Sequence, residues 1–347
     1  MKKIEKVKFS CDLSFLKNKS LLITGGTGSF GQTLTETLLE SGQLKKLIIF
    51  SRDEYKQLLM QQRLKQHNKF NTLRFFIGDV RNVDRLMMAF RTVDYVVHAA
   101  ALKQIDTAEY NPFECIRTNI IGSENVVRAS LQCSVKKVIA LSTDKAVNPV
   151  NLYGASKLSA DKIFIAANSY AGEQNTTFSV VRYGNVLDSR GSVISLFKEL
   201  LSKNKDIPVT DMRMTRFWIK KKEGINFVLR CLQSMQGSEI FIPKLPSMSI
   251  ADLIKNIKKK VKIKKINIRP GEKLHETLLT KEDARDSYEG KDYFVVLPTW
   301  RAKKIDFKKE KLKKVSENFE YVSNNNNKKV KHHIIYNLFN YSKKEID

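Results

Sequence analysis

Tyr153 and Lys157 stand four residues apart, shortly after the run Leu141-Ser142-Thr143-Asp144-Lys145. That spacing puts the phenol and the amine on one face of a helix. An ammonium beside a phenol favours the phenolate, lowering a pKa that starts near about 10. A phenolate at neutral pH takes the proton of an alcohol while the alcohol carbon gives up hydride. Thr143 can hydrogen-bond the same oxygen. Asp144 and Lys145 form a second acid/base pair. To act as a base the lysine must be neutral, which burial and a cationic neighbour promote; to act as an acid the aspartate needs the opposite shift. Opposed displacements in adjacent groups assign acid and base roles. An oxidising base plus a second pair is more than a simple dehydrogenase needs.

These groups work together only if the fold delivers them to one crevice. Val138-Ile139-Ala140-Leu141 reads as a buried parallel strand, and the carboxyl ends of such strands open onto the ligand crevice of an α/β sheet. An earlier strand, Leu21-Leu22-Ile23-Thr24, runs into Gly25-Gly26-Thr27-Gly28-Ser29-Phe30-Gly31, and a helix with Leu34, Leu38 and Leu39 follows. Gly25 suits the tight turn, Gly28 lets backbone approach phosphates, and Gly31 allows close helix packing. Between a strand and a helix, this glycine spacing is a strong pyrophosphate signature.

The next strand, Leu47-Ile48-Ile49-Phe50, ends in Ser51-Arg52-Asp53-Glu54-Tyr55-Lys56. A carboxylate here grips the ribose 2′-hydroxyl of NAD, whereas an arginine accommodates a 2′-phosphate. Ser51, Arg52 and Lys56 therefore argue for NADP; Asp53 dissents, or caps the following helix. Asp79 and Val80, after the third strand, lie where an adenine edge is read, a position equally suited to a cap. Beyond the fourth strand, Ala99 and Ala100 are small enough for a cofactor to pass, and Lys103 suits a phosphate or a substrate hydroxyl. His98 reads as a buried, satisfied histidine. A long helix is expected from Pro112 to Cys133; its Asn119 either steadies a water in the site or packs the helix.

After the strand Phe178–Val181 the alternation loosens, as in a smaller substrate region. Three polar clusters stand out there: Asn185-Val186 through Arg190; Thr210 through Arg213 and Arg216; and Arg269-Pro270-Gly271-Glu272-Lys273-Leu274-His275-Glu276. Asn185, Val186, Arg190, Thr210, Arg213, Arg269 and Glu272, with Lys103, are the expected substrate contacts. Arginines on loops suit diphosphate or carboxylate recognition, and surface ion pairs are the alternative. The expected organisation is a lead-in over 1–19, a dinucleotide-binding domain over 20–184 with later segments returning to it, a mainly substrate-binding region over 185–300, and a basic, low-complexity, flexible tail over 301–347. The fold class is α/β, a Rossmann-like doubly wound parallel sheet with a smaller, interleaved α/β substrate-binding domain.

The 347 residues carry a formal charge of +26. The densest basic run, Lys255 to Lys265, lacks the interleaved aromatics that nucleic acid would stack on, so a solvated surface is expected and no nucleic-acid partner. Four cysteines lack paired or metal-like spacing, and no metal is expected. No run approaches the roughly 18 apolar residues of a membrane span. The expected location is the cytoplasm.

With Thr24-Gly25-xx-Gly28-xx-Gly31 and Tyr153-xxx-Lys157, the chain resembles an extended short-chain dehydrogenase/reductase. The runs Ser142-Thr143-Asp144-Lys145-Ala146-Val147-Asn148-Pro149, Arg182-Tyr183-Gly184-Asn185-Val186 and Arg269 through Glu276 narrow the likeness. Together they resemble the configuration-inverting UDP-N-acetylglucosamine 4,6-dehydratases, over roughly residues 20 to 298. The resemblance implies transient oxidation at C4, loss of water across C5 and C6, and hydride return, opening the route to pseudaminic acid, which decorates flagellins in some bacteria. It also implies a homo-oligomer such as a hexamer. Retaining relatives carry an Asp-Glu pair where this chain has Asp144-Lys145. Membrane-anchored relatives have Met or Thr at the tyrosine position. Gln104 and Asp188 depart from the family's histidine and glycine. A nucleotide-sugar 4-epimerase or reductase, which leaves Asp144 and Lys145 without work, is the rival enzyme; a regulatory NADP-binding protein is the rival outside enzymes.

Overall fold

The computed structural model describes residues 8–172, 175–187, 192–257, 261–302, 311–331, 334–335 and 338–339. The first half supplies β1 (Ser20–Thr24), β2 (Lys46–Ser51), β3 (Leu73–Ile77), β4 (Tyr95–His98), β5 (Lys137–Thr143) and β6 (Thr177–Tyr183). They are parallel in the order β3-β2-β1-β4-β5-β6, and Ile240–Pro243 continues the parallel set. Tyr293–Val296, Ser287–Glu289 and Lys313–Lys314 add an antiparallel edge, giving ten strands. The sheet is the expected Rossmann-like one. Its order reverses between β1 and β4, where such sheets hold ligands.

Helices cover both faces, so the central strands have no solvent side. That is why β1 is buried along its whole length rather than alternating. Short polar side chains start the helices: Asp53 accepts from Lys56 N at 2.9 Å, and Asn151 accepts from Gly154 N at 2.7 Å to begin the helix Leu152–Tyr170. β4 pairs with β5 only as far as His98 opposite Ala140, so Leu141, Ser142 and Thr143 run on beside β6 alone. This overhang carries the end of β5 into the crevice.

The expected long helix from Pro112 to Cys133 is present, running through Pro112–Ile116, Arg117–Ile121 and Gly122–Gln132, and its middle segment is widened into a π-helical turn. Buried polar groups accompany the widening. Asn119 donates to Leu102 O and to Ser156 Oγ, each at 2.9 Å, and accepts from Leu102 N at 2.8 Å. Asn119 therefore ties the loop after β4 to the helix of Tyr153, a π-type widening of the sort frequent at functional sites.

The later residues add a second, smaller core in which Leu187, Ile194, Phe197, Trp218, Leu253 and Ile335 meet. No helix among the described residues is long and apolar enough to cross a membrane. The C-terminal stretch, expected as a flexible tail, is built into the fold where it is described. Tyr321–Val322 pairs with Thr277–Leu279, and Ile335 is fully buried. The Tyr321 hydroxyl accepts from Leu245 N at 2.7 Å and donates to Leu245 O at 2.8 Å. A few well-placed apolar residues hold this segment, and the average composition hides them.

Replacing that hydroxyl in Tyr321→Phe leaves a buried backbone N–H unpaired. Urea denaturation is expected to show a loss of about 1–3 kcal/mol with an unchanged circular dichroism spectrum. Stability equal to the parent would contradict a structural role for the C-terminal segment.

Candidate active site

A cavity of about 1160 Å³ runs along the carboxyl ends of the strands. At its dinucleotide end Gly25 has φ +67°, and a Cβ there would stand 2.8 Å from Ala100 N. The β1 turn and the loop after β4 thus meet backbone to backbone across the switch point. Gly31 lies so close to the Gly26 carbonyl that any side chain would collide with it. The helix Ser29–Ser41 therefore starts directly against the turn, with its free N–H groups at the cavity. This cradle fits a dinucleotide pyrophosphate.

Of the expected cofactor contacts, Gly25, Thr27, Gly28, Ser29, Phe30, Gly31, Ser51, Arg52, Lys56, Asp79, Val80, Ala99, Ala100, Lys103, Tyr153 and Lys157 all line this cavity. Asp53 caps the helix Glu54–Leu64, and its other oxygen takes the Lys56 ammonium. Asp79 accepts from Arg81 N and Nε at 2.9 Å and faces Arg52 at 3.6 Å. Burial works to raise its pKa, but the Arg81 contacts bring it below the ordinary carboxylate value. His98 is buried, bonded to Thr24 Oγ1 at 2.8 Å. Burial, aided by the Lys157 charge, holds its pKa at about 3.

Tyr153 and Lys157 share one face of the helix Leu152–Tyr170 as expected, and a third group continues that face. Asp161 lies a further turn along, buried, accepting from Ser142 Oγ at 2.8 Å and Arg182 Nη2 at 3.3 Å. Arg182 also reaches Asp283 at 3.3 Å. Burial lowers the Lys157 pKa, and Asp161 opposes that. The expected electrostatics of the phenol need correcting. Burial raises Tyr153 to about 12, with Asp144 adding to the rise; the Lys145 ammonium and the Thr143 hydroxyl pull it down. The cation that most favours the phenolate is therefore Lys145.

Lys145 itself is the second correction. Its Nζ is 3.0 Å from Asp144 Oδ1 and 3.4 Å from Glu276 Oε1. Burial alone would push the amine towards neutrality, but Asp144 and then Glu276 outweigh it and hold the pKa above the usual lysine value. Arg216, the nearby cation, acts against them. Asp144 is fully buried, accepts from Thr143 Oγ1 at 3.0 Å, and is not among the side chains that line the cavity. Thr143, Lys145 and Glu276 do line it.

On the substrate side, Asn185, Val186, Thr210, Arg269 and Glu272 line the cavity, as does Gln104. Arg213 does not: it folds back on Asp211 at 2.7 Å and is largely exposed. Arg190 and Asp188 lie outside the described residues. Arg216 and Lys273 take the place expected of Arg213, on the wall beside Glu276. Arg216 donates to Leu274 O at 3.2 Å and Lys273 O at 3.0 Å, while Lys273 Nζ donates to Val147 O. Asn151 donates to Gly271 O at 2.7 Å. The run Arg269–Glu276 is thereby clamped against the end of β5. Glu276 stood in a motif already singled out; only the tertiary contact reveals its partner.

A dinucleotide cradle, a tyrosine–lysine face and a lysine between carboxylates meet in one cavity, and the family follows. The sequence model described as polysaccharide biosynthesis protein matches residues 21–298, and the chain belongs to that family, on the short-chain dehydrogenase/reductase fold. Over 315 residues it is 51% identical to a UDP-N-acetylglucosamine 4,6-dehydratase (inverting) of Campylobacter jejuni, covering 89% of this chain and 93% of the relative. Over 284 residues it is 43% identical to a UDP-glucose 4-epimerase of Rickettsia canadensis, covering 80% and 82%. The solved structure of Pen from Bacillus thuringiensis matches with a TM-score of 0.85 at 36% identity, over 93% of this chain and 98% of that one.

Because the folded His98 stays neutral down to about pH 3 while the unfolded one titrates near 6.5, only the unfolded state gains a proton between these values. Stability is therefore lost as pH falls through this window. Urea melts at pH 6.5 and 5 are expected to differ by about 1.6 kcal/mol from this group, and by that much less in His98→Gln. An unchanged difference in the variant would contradict the assignment.

Proposed function

We propose that this protein is an NADP-dependent UDP-N-acetylglucosamine 4,6-dehydratase that inverts C5. Its product is UDP-2-acetamido-2,6-dideoxy-β-L-arabino-hex-4-ulose, the first step towards pseudaminic acid that the family resemblance implies. The observation that carries this reading is Lys145 on the cavity wall, 3.4 Å from Glu276 and 3.0 Å from Asp144. A 4-epimerase needs a proton acceptor at the 4-hydroxyl and leaves C5 untouched. A second acid/base cluster has work only where a C–H bond beside a ketone must break. The C. jejuni relative's name supports the same choice.

A nicotinamide held in the cradle of Gly25, Gly28 and Gly31 would supply a hydride acceptor for C4 of the sugar and later a donor for C6. The chain supplies the rest. Tyr153, beside the Thr143 hydroxyl, takes the 4-hydroxyl proton, while Lys157, backed by Asp161, holds the cofactor end of the site. The ketone at C4 then acidifies C5, and Lys145 removes the C5 proton. The departing 6-hydroxyl must also receive a proton. Asp144 was expected to deliver it, and from its sealed position it can do so only through Lys145. Burial keeps Tyr153 protonated at neutral pH, so kcat/KM should go on rising as pH increases into the alkaline range. The four free cysteines support a reducing, cytoplasmic setting.

Incubation with UDP-N-acetylglucosamine in deuterated water is expected to give a 6-deoxy-4-keto product with deuterium at C5, read by NMR. Lys145→Ala should lose that exchange by about 100-fold or more while still reducing cofactor in a single turnover. A 4-epimer as product would overturn the reading, and near-parental exchange in the variant would overturn the role of Lys145.

The preference for NADP rests on Arg52 and Lys56 at the end of β2 and on Asp53 being occupied as a cap. In Arg52→Ala, fluorescence titration is expected to show NADPH binding weakened by about tenfold, roughly the 1.4 kcal/mol of one lost charged contact, with NADH binding unchanged. Equal weakening of both would contradict a 2′-phosphate contact.

A further inference from the structure

Resting on the dehydratase reading, we propose that Glu276 is the proton carrier of the elimination. It receives the proton that Lys145 must shed to become a base, and hands it to the oxygen leaving C6.

Glu276 comes from a segment far from β5 in sequence, yet its Oε1 lies 3.4 Å from Lys145 Nζ and 3.6 Å from Arg216 Nε. The side chain is 2% exposed and lines the cavity. Its Oε2 is buried and has no hydrogen-bond partner among the described residues. Nearly every other polar atom around it is engaged. Glu276 N donates to Ser323 Oγ at 2.9 Å, and Arg216 is tied to the carbonyls of Lys273 and Leu274. The carboxyl has one oxygen beside the lysine ammonium and the other buried and unspoken for, on a residue of the cavity wall, which places it to move a proton. Asp144 also has an unpartnered oxygen, but it is sealed away from the cavity.

The proposal resolves the difficulty that Lys145 is held charged. An ammonium–carboxylate pair and an amine–carboxylic acid pair carry the same net charge, so the proton can cross the contact without exchange with bulk water. In water the charged form is favoured by solvation. A sugar filling the cavity removes that solvation, which disfavours the charged pair relative to the neutral one. Burial already raises the Glu276 carboxyl, against the pull of Lys145. Asp144, Arg216 and Lys273 are the other charges facing the pair.

The step balances. The Lys145 lone pair takes the C5 hydrogen, and the C5–H electrons become the C5=C6 double bond. The C6–O electrons leave with oxygen, which takes the proton from Glu276 and departs as water. Lys145 ends as ammonium and Glu276 as carboxylate, the pair that began.

The test uses Glu276→Gln, nearly the same shape, with UDP-N-acetylglucosamine and its 6-deoxy-6-fluoro analogue. Fluoride leaves without a proton. Water elimination is expected to fall by about 100-fold or more. Fluoride release should stay within about tenfold of the parent, with its optimum moved to alkaline pH because Lys145 must then lose its proton to bulk water. Cofactor reduction in a single turnover and the thermal midpoint check that the variant is folded. Lys145→Ala should lose both eliminations. Water elimination by Glu276→Gln within about fivefold of the parent, or equal loss of both eliminations, would overturn the proposal. Absence of the 6-deoxy-4-keto product from the parent protein would instead reject the dehydratase reading, before any variant is compared.

Discussion

A lysine charge largely enclosed on a cavity wall needs an anion beside it, and here it has two, from distant parts of the chain. Asp144 closes β5, whereas Glu276 enters the strand Thr277–Leu279. Removing one member of a buried charge set leaves the others uncompensated, at a cost of several kcal/mol. The end of β5 and the run Arg269–Glu276 are therefore held together by the same interaction that the proposed chemistry uses. Ser323, bonded to Glu276 N and Thr215 O, brings the C-terminal segment into that arrangement. Chemistry and cohesion share one set of contacts.

The sheet makes this possible by being uneven. β5 outruns β4 and delivers Thr143, Asp144 and Lys145 past the point where the loop Ala99–Ala101 turns away. Gly154 lets the helix of Tyr153 lie so close to the Lys145 carbonyl that a Cβ would collide with it. The phenol and the lysine are thus set by backbone packing, and Asp161 and Arg182 brace the helix from behind. Little is left to side-chain freedom.

What could be read from the sequence was local. The glycine turn, the Tyr153–Lys157 spacing and the apolar parallel strands are short-range patterns with a fixed geometric meaning, and they locate the crevice. The missing pieces are non-local. Nothing in the residues around Glu276 says that it faces Lys145, because that contact joins two strands' ends across the cavity. Arg213 and Arg216 lie in one short run; a tight turn on Asp211 diverts the first outward, while the second is the second residue of the strand Thr215–Ile219 and lines the cavity. Asp161 continues the four-residue spacing of Tyr153 and Lys157, the signal that would have found it. The π-helical turn at Arg117–Ile121 and the built-in C-terminal segment both go with a few buried groups, Asn119, Tyr321 and Ile335, that averages over a window dilute.

A lysine base beside C5 has a purpose only if C4 is briefly a ketone and the hydrogen taken from it comes back one carbon beyond its neighbour. UDP-N-acetylglucosamine bearing deuterium on C4 tests this directly. Deuterium is expected on C6 of the product, read by NMR and mass spectrometry, with a solvent hydrogen on C5. Deuterium remaining on C4, or lost to water, would contradict it.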